Sequence, residues 1–174
     1  MLTGADASGI TFNSGANFTQ NCAGNVFGSG TANSVVFASG SAFVEIFGNN
    51  PFAKTQPSSV VVFQPGSLFS AQGNLQPSAS GRTYADLEIN YATFSQNLSG
   101  SSLLSVSNLS VLQGALSISM TGGFNLLGNV AVASGATLNL NNNITNASGK
   151  TITINGKLGG TGTNYGSAAI TISS

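Results

Sequence analysis

Arg82, Tyr84, Asp86, Glu88 and Asn90 occupy every second position of the stretch Arg82-Thr83-Tyr84-Ala85-Asp86-Leu87-Glu88-Ile89-Asn90-Tyr91. A strand points alternate side chains to one face, so this stretch predicts a phenol, two carboxylates and an amide in a row, with a guanidinium just before them. Two carboxylates flanking a scissile bond are what glycosidic cleavage requires, and β-helical polysaccharide lyases and hydrolases carry acids on such a face. Two acids beside one arginine on a solvent-facing strand also make an ordinary solvated charge group. The second expectation is the one adopted: the five residues form a candidate surface patch, none is assigned a catalytic role, and the chain is not expected to be an enzyme.

Other chemistries are harder to find. The chain has no histidine, which removes imidazole triads, histidine metal ligands and proton relays. Gly159-Gly160-Thr161-Gly162-Thr163-Asn164-Tyr165 resembles the glycine-rich nonapeptide that holds calcium between coils of a β-roll, but Asn164 stands where the acid is needed. Calcium takes six to eight oxygens, carboxylates among them, so the segment is expected to be a turn and no metal site is assigned. Gly28-Ser29-Gly30 lacks the third glycine, the lysine and the helix of a phosphate cradle. No cofactor is expected. The single cysteine, Cys22, is read as a small packed residue.

Only 5% of the 174 residues are charged, against about 25% in an ordinary soluble domain. Hydroxyls and amides must replace charge as the solvating groups: the chain holds 26 Ser, 15 Thr, 20 Asn and 23 Gly. A formal net charge of zero offers no basic footprint for nucleic acid, and none is expected as a partner. The longest aliphatic run, Val60 to Phe63, is too short to cross a bilayer, so no membrane insertion is expected. The sequence also shows no basic n-region of a signal peptide.

The elements that would position the patch emerge from a repeat. Val35-Val36-Phe37-Ala38-Ser39-Gly40-Ser41-Ala42-Phe43 returns as Val61-Val62-Phe63-Gln64-Pro65-Gly66-Ser67-Leu68-Phe69, and a weaker copy runs from Ile10 to Phe18. Ala133 to Asn141 and Ala147 to Asn155 match after a shorter shift. Strand, glycine turn and strand recur, and stacked copies would place Val over Val and Phe over Phe at about 4.8 Å. The prediction is all-β: a right-handed parallel β-helix, a solenoid, with one coil per turn glycine at Gly15, Gly40, Gly66, Gly81, Gly100, Gly114, Gly135, Gly149 and Gly166, about eight or nine coils in all. A β-sandwich is the alternative, since short strands at regular spacing also fit it. Residues 1–174 read as one domain, with larger coils over about 1–81, where all four prolines lie and Gly48 to Ser58 suggests an external loop, and shorter coils over about 82–174.

The blocks Ser34 to Phe43, Ser59 to Phe69 and Ser80 to Ile89, with the Ala-Ser-Gly-Ala-Thr-Leu-Asn-Leu repeats, resemble the repetitive regions of very large secreted bacterial surface proteins, which often end in a type IX secretion sorting domain. They are more loosely similar to the β-helical stalks of autotransporter passengers and filamentous adhesins. No sorting domain, translocator barrel or capping element is visible in the sequence. The resemblance implies an extracellular or cell-surface location and transfers no catalytic residue. The expected function is a non-catalytic structural or adhesive segment of a surface protein or filament. A β-helical carbohydrate-active enzyme or carbohydrate-binding module is the alternative. Glycans are candidate ligands of the hydroxyl and amide rows, whereas an ice-binding face is not expected, because Thr151 and Thr153 stacked over Thr137 and Asn139 make too short a threonine row. Strand-like sequence at both ends, Gly9 to Phe12 and Ala168 to Ser174, suggests coils that pair head to tail with copies of the chain or with flanking coils.

Overall fold

The computed structural model describes residues 1–48, 50–145, 148–162 and 169–172. Among these there is no helix, and every strand pairing is parallel. The chain is a parallel β-solenoid of about seven turns. A sandwich is ruled out, because its sheets are built from antiparallel pairs.

Three columns of stacked strands form the wall. The first begins with β1 (Ile10–Phe12), β3 (Val35–Phe37) and β5 (Val61–Phe63). The second contains β2 (Asn17–Asn21), β4 (Ala42–Phe47) and β6 (Leu68–Ala71). Two long strands, β7 (Arg82–Gly100) and β8 (Leu104–Met120), then pass through all three columns in turn. Beyond them the first column continues with β9 (Phe124–Leu126) and β12 (Ile144–Thr145). The second continues with β10 (Val130–Val132), β13 (Thr151–Ile154) and β15 (Ala169–Ile172). The third adds β11 (Thr137–Leu140) and β14 (Lys157–Gly159).

Coil length changes along the stack. In the first column one full coil carries the chain from Ile10 to Val35, and the next from Val35 to Val61. Register partners then draw closer in sequence: Leu68 lies against Asp86, Arg82 against Leu104, and Leu104 against Phe124. The early repeat is therefore a true coil offset, but the later match between Ala133–Asn141 and Ala147–Asn155 is not. Of its described residues, Thr137 pairs with Ala115 and Lys157 in the third column, whereas Thr153 pairs with Ala131 in the second. The expected stacking of Thr151 and Thr153 over Thr137 and Asn139 is thus corrected: both copies are strands after a Ser-Gly turn, but they occupy different sides of the coil.

The glycine count overestimates the turns for the same reason. Gly15, Gly40, Gly66 and Gly149 lie between the first and second columns, Gly114 and Gly135 between the second and third, Gly100 between the third and first, and Gly81 between β6 of the second column and the first-column start of β7. Gly166 lies outside the described residues. Where glycines do stack, the chemistry is clear: the N–H of Gly15 donates to the carbonyl of Gly40 at 2.9 Å, and the N–H of Gly40 to that of Gly66 at 2.8 Å. Gly40 has φ +77, a left-handed conformation that costs a side-chain-bearing residue.

The core is a set of ladders. Phe12, Phe37 and Phe63 stack at 4.5 and 5.0 Å, and Phe18, Phe43 and Phe69 at 5.7 and 5.2 Å. The second ladder then turns aliphatic, passing through Leu87, Leu109, Val130 and Ile152. The segment expected as an external loop, Gly48 to Ser58, is external only in part: Lys54, Thr55, Pro57 and Ser58 are exposed, but Pro51 is buried. Phe52 is fully buried, with its ring against Phe63 at 5.6 Å and Tyr84 at 5.2 Å. An aromatic side chain in a polar loop gains about 1.5–3 kcal/mol by burial, enough to draw the loop onto the core.

Candidate functional site

The expected patch is divided by a corner in β7. Tyr84 and Ala85 are both buried, so the in–out alternation changes phase between them. Arg82 and Tyr84 point inward; Asp86, Glu88 and Asn90 lie half-buried on the outer side of the second column. A straight strand would have kept all five together, and their spacing alone does not reveal the bend.

Inside, the Tyr84 hydroxyl donates to the carbonyl of Ser78 at 2.6 Å. Burial raises its pKa well above the ordinary phenol value, Glu45 adds to the rise, and Arg82 opposes it. The Arg82 guanidinium lies 5.4 Å from the centroid of the Phe52 ring, and burial lowers its pKa while Tyr84 acts the other way. Tyr84 thus serves as a core aromatic with a satisfied hydroxyl, packed against Phe69 at 5.0 Å.

Outside, the two carboxylates are engaged by their stacked neighbours. Asp86 Oδ1 accepts from Asn108 Nδ2 at 2.7 Å. Glu88 Oε1 accepts from Ser70 Oγ at 2.7 Å and from Asn90 Nδ2 at 3.4 Å, while Asn90 Oδ1 accepts from Gln113 Nε2 at 3.0 Å. The Asp86 row continues along the stack: Asn108 Oδ1 accepts from the N–H of Asn129 at 2.9 Å, and Asn129 Oδ1 from that of Thr151 at 3.0 Å. Such a row ties one coil to the next; each neutral bond contributes about 0.5–1.5 kcal/mol and those to a carboxylate more.

Neither of two cavities in the wall is lined by these acids. One, of about 230 Å³, is lined by Gln56, Val62, Phe63 and Thr83; the other, of about 220 Å³, by Ala92, Leu112, Gln113, Gly114, Ser134 and Gly135. Asp86 and Glu88 sit half-buried on the outer strand face, apart from both of these cavities.

Among the described residues no three His, Cys, Asp or Glu side chains gather as a metal site. In the glycine-rich segment, Gly159 belongs to β14 and pairs with Asn139, while Thr163, Asn164 and Tyr165 lie outside the described residues. Gly28 is in a turn closed by Asn25 Nδ2 donating to its carbonyl at 2.6 Å. Cys22, expected to be packed, is exposed, because it follows β2 where the chain leaves the wall. No helix among the described residues is long and apolar enough to cross a membrane.

One group was missed by reading motifs. Glu45 is only 4% exposed, and burial pushes its pKa from 4.5 up to about 7. The signal lay in the early repeat: Gln20, Glu45 and Ala71 occupy one offset of the long coils, two positions after the stacked Phe18, Phe43 and Phe69. Compared with family models, curated proteins and solved structures, the chain matches none of them.

Proposed function

We propose that this chain is a non-catalytic structural and adhesive segment of an extracellular bacterial surface protein or filament, in which the solenoid spaces and the outer polar rows bind. The observation that carries this reading is the state of Asp86 and Glu88: both accept hydrogen bonds from neighbours on the wall, and both stand outside the two cavities. Their geometry serves coil-to-coil cohesion. The outer rows of Ser, Thr, Asn and Gln offer hydroxyls and amides at the strand spacing, a surface that sugar hydroxyls can match by hydrogen bonding. Parallel coils whose backbone groups pair with the next coil also suit end-to-end association with further coils, whether flanking or from another copy.

Purified protein on a glycan array, followed by depolymerisation assays with pectin, alginate and other polysaccharides, tests the assignment. The expected result is glycan retention without cleavage. Turnover that disappears in Asp86→Ala or Glu88→Ala would replace this reading by a carbohydrate-active enzyme, and silence on every glycan would reduce the role to spacing. Antibody labelling of intact source cells tests the surface location, and light scattering across concentration tests self-association.

A further inference from the structure

One inner column of the solenoid changes character along its length. It begins Gln20, Glu45, Ala71 and continues Ile89, Val111, Val132, Ile154. Gln20 is 1% exposed and Glu45 4%, so the polar start of this column is as buried as its aliphatic end.

The orientation of the Gln20 amide is fixed by its own bonds. Its Nε2 donates to the carbonyl of Gly24 at 2.9 Å and to that of Cys22 at 3.3 Å; flipped, the amide would set Oε1 against two carbonyl oxygens. Gly48 permits the arrangement, since a Cβ there would collide with the Gln20 amide. Oε1 therefore points elsewhere, and among the described residues it has no donor. Glu45, the register partner of Gln20 across the β2–β4 pair, has an equally unpartnered buried oxygen, Oε2. Two buried acceptors at paired positions with no donor between them are costly. One proton on the carboxyl supplies the missing donor.

We propose that Glu45 is a proton-operated latch of the N-terminal coils: as the neutral acid it donates a hydrogen bond to Gln20 Oε1 and ties β2 to β4 through the interior, and on losing the proton it loosens them. Of its neighbours, β2 presents Gln20 and β6 presents Ala71; of the ionisable groups on β7, Tyr84 donates to Ser78, and Arg82 lies on Phe52 with its buried Nε and Nη1 bonded to neither Glu45 nor any other described residue. The deprotonated form would hold a buried carboxylate opposite a carbonyl oxygen.

The sign of the pH dependence follows. The folded chain holds the Glu45 proton up to about pH 7, the unfolded chain only to about 4.5. The contribution is full below pH 4.5 and is lost as pH rises through about 7. The full swing corresponds to a change of roughly 300-fold in the local opening equilibrium.

Carboxyl-13C glutamate labelling of the intact chain reports on this directly, because Glu45 and Glu88 are its only glutamates and Glu88→Gln assigns the signals by subtraction. The Glu45 signal should titrate near neutrality. Amide exchange in β2 and β4, corrected for intrinsic rates, should accelerate over the same range, while β11 and β14 stay unchanged. Glu45→Gln, whose neutral amide donates at every pH, should remove the acceleration. A double-mutant cycle with Gln20→Met and Glu45→Met should show favourable coupling near pH 5 that vanishes near pH 9. A Glu45 signal titrating in the ordinary carboxylate range, pH-dependent exchange that persists in Glu45→Gln, or absent coupling near pH 5 would each overturn the latch.

Discussion

The first three coils and the later ones solve the same packing problem with different materials. The early coils are long, running from Ile10 to Val35 and from Val35 to Val61; they fill their interior with stacked phenylalanines and tuck Phe52 in from a loop. The later coils are shorter, as from Arg82 to Leu104 and from Leu104 to Phe124. They carry strand on a third side through β11 and β14, and fill the interior mainly with Leu, Ile and Val, with Phe94 and Phe124 as buried rings outside the phenylalanine ladders. Side-chain volume and coil perimeter change together. Large rings need a wider interior, and the loops after β2, β4 and β6 provide residues to close it, whereas branched aliphatics fill a smaller section bounded by three strands. The junction is β7, where Tyr84 receives the last aromatic contacts from Phe63 and Phe69 before the ladder passes to Leu87.

Removing a ring is expected to be the largest perturbation. Phe43 touches Phe18, Phe37 and Phe69, so Phe43→Ala should cost ~3–5 kcal/mol in chemical denaturation. Because each coil contacts mainly its neighbours, hydrogen exchange should show this loss concentrated in β2, β4 and β6, with β11 and β14 still protected. Uniform loss along the stack would break the comparison and show that the two regions open as one unit.

Leu138→Ala, made in the aliphatic region, should cost ~2–4 kcal/mol and show the reverse pattern, with exchange quickening in β11, β14 and the third-column part of β8. On the outside, effects should be smaller. Asn108→Ala removes bonds to Asp86 and to the N–H of Asn129, and should lower the urea midpoint by an amount equivalent to ~1–2 kcal/mol. Glu88→Ala, which leaves the buried Ser70 hydroxyl without its carboxylate acceptor, should cost a similar ~1–2 kcal/mol. Smallest of all, Asp86→Ala should change stability by less than ~1 kcal/mol, because the Asn108 amide it releases is exposed to water. A larger loss in thermal melts would make the outer row a principal source of cohesion between the two regions.

The parts of this architecture that were legible in the sequence share a cause. Val35–Phe43 and Val61–Phe69 repeat because one coil lies directly on the next, and side chains in register must be alike to stack, so the coil offset is written in the residues themselves. The shortage of charge, the lack of histidine and the outward position of Asp86 and Glu88 likewise follow from residue type and local alternation. Tertiary structure decided what depends on corners. Tyr84 and Ala85 are both buried where β7 bends, which carries Tyr84 and Arg82 indoors and leaves three of the five patch residues outside. Ser-Gly turns look alike on every side of the coil, so matching Ala133–Asn141 to Ala147–Asn155 could not reveal that their strands occupy different columns. Glu45 reads as an ordinary acid until its coil closes, because its burial comes from the coils that carry Gln20 and Ala71, distant in sequence and brought above and below it by the fold. Local alternation gives a side chain a direction, but only the closed coil determines whether that direction is water or core.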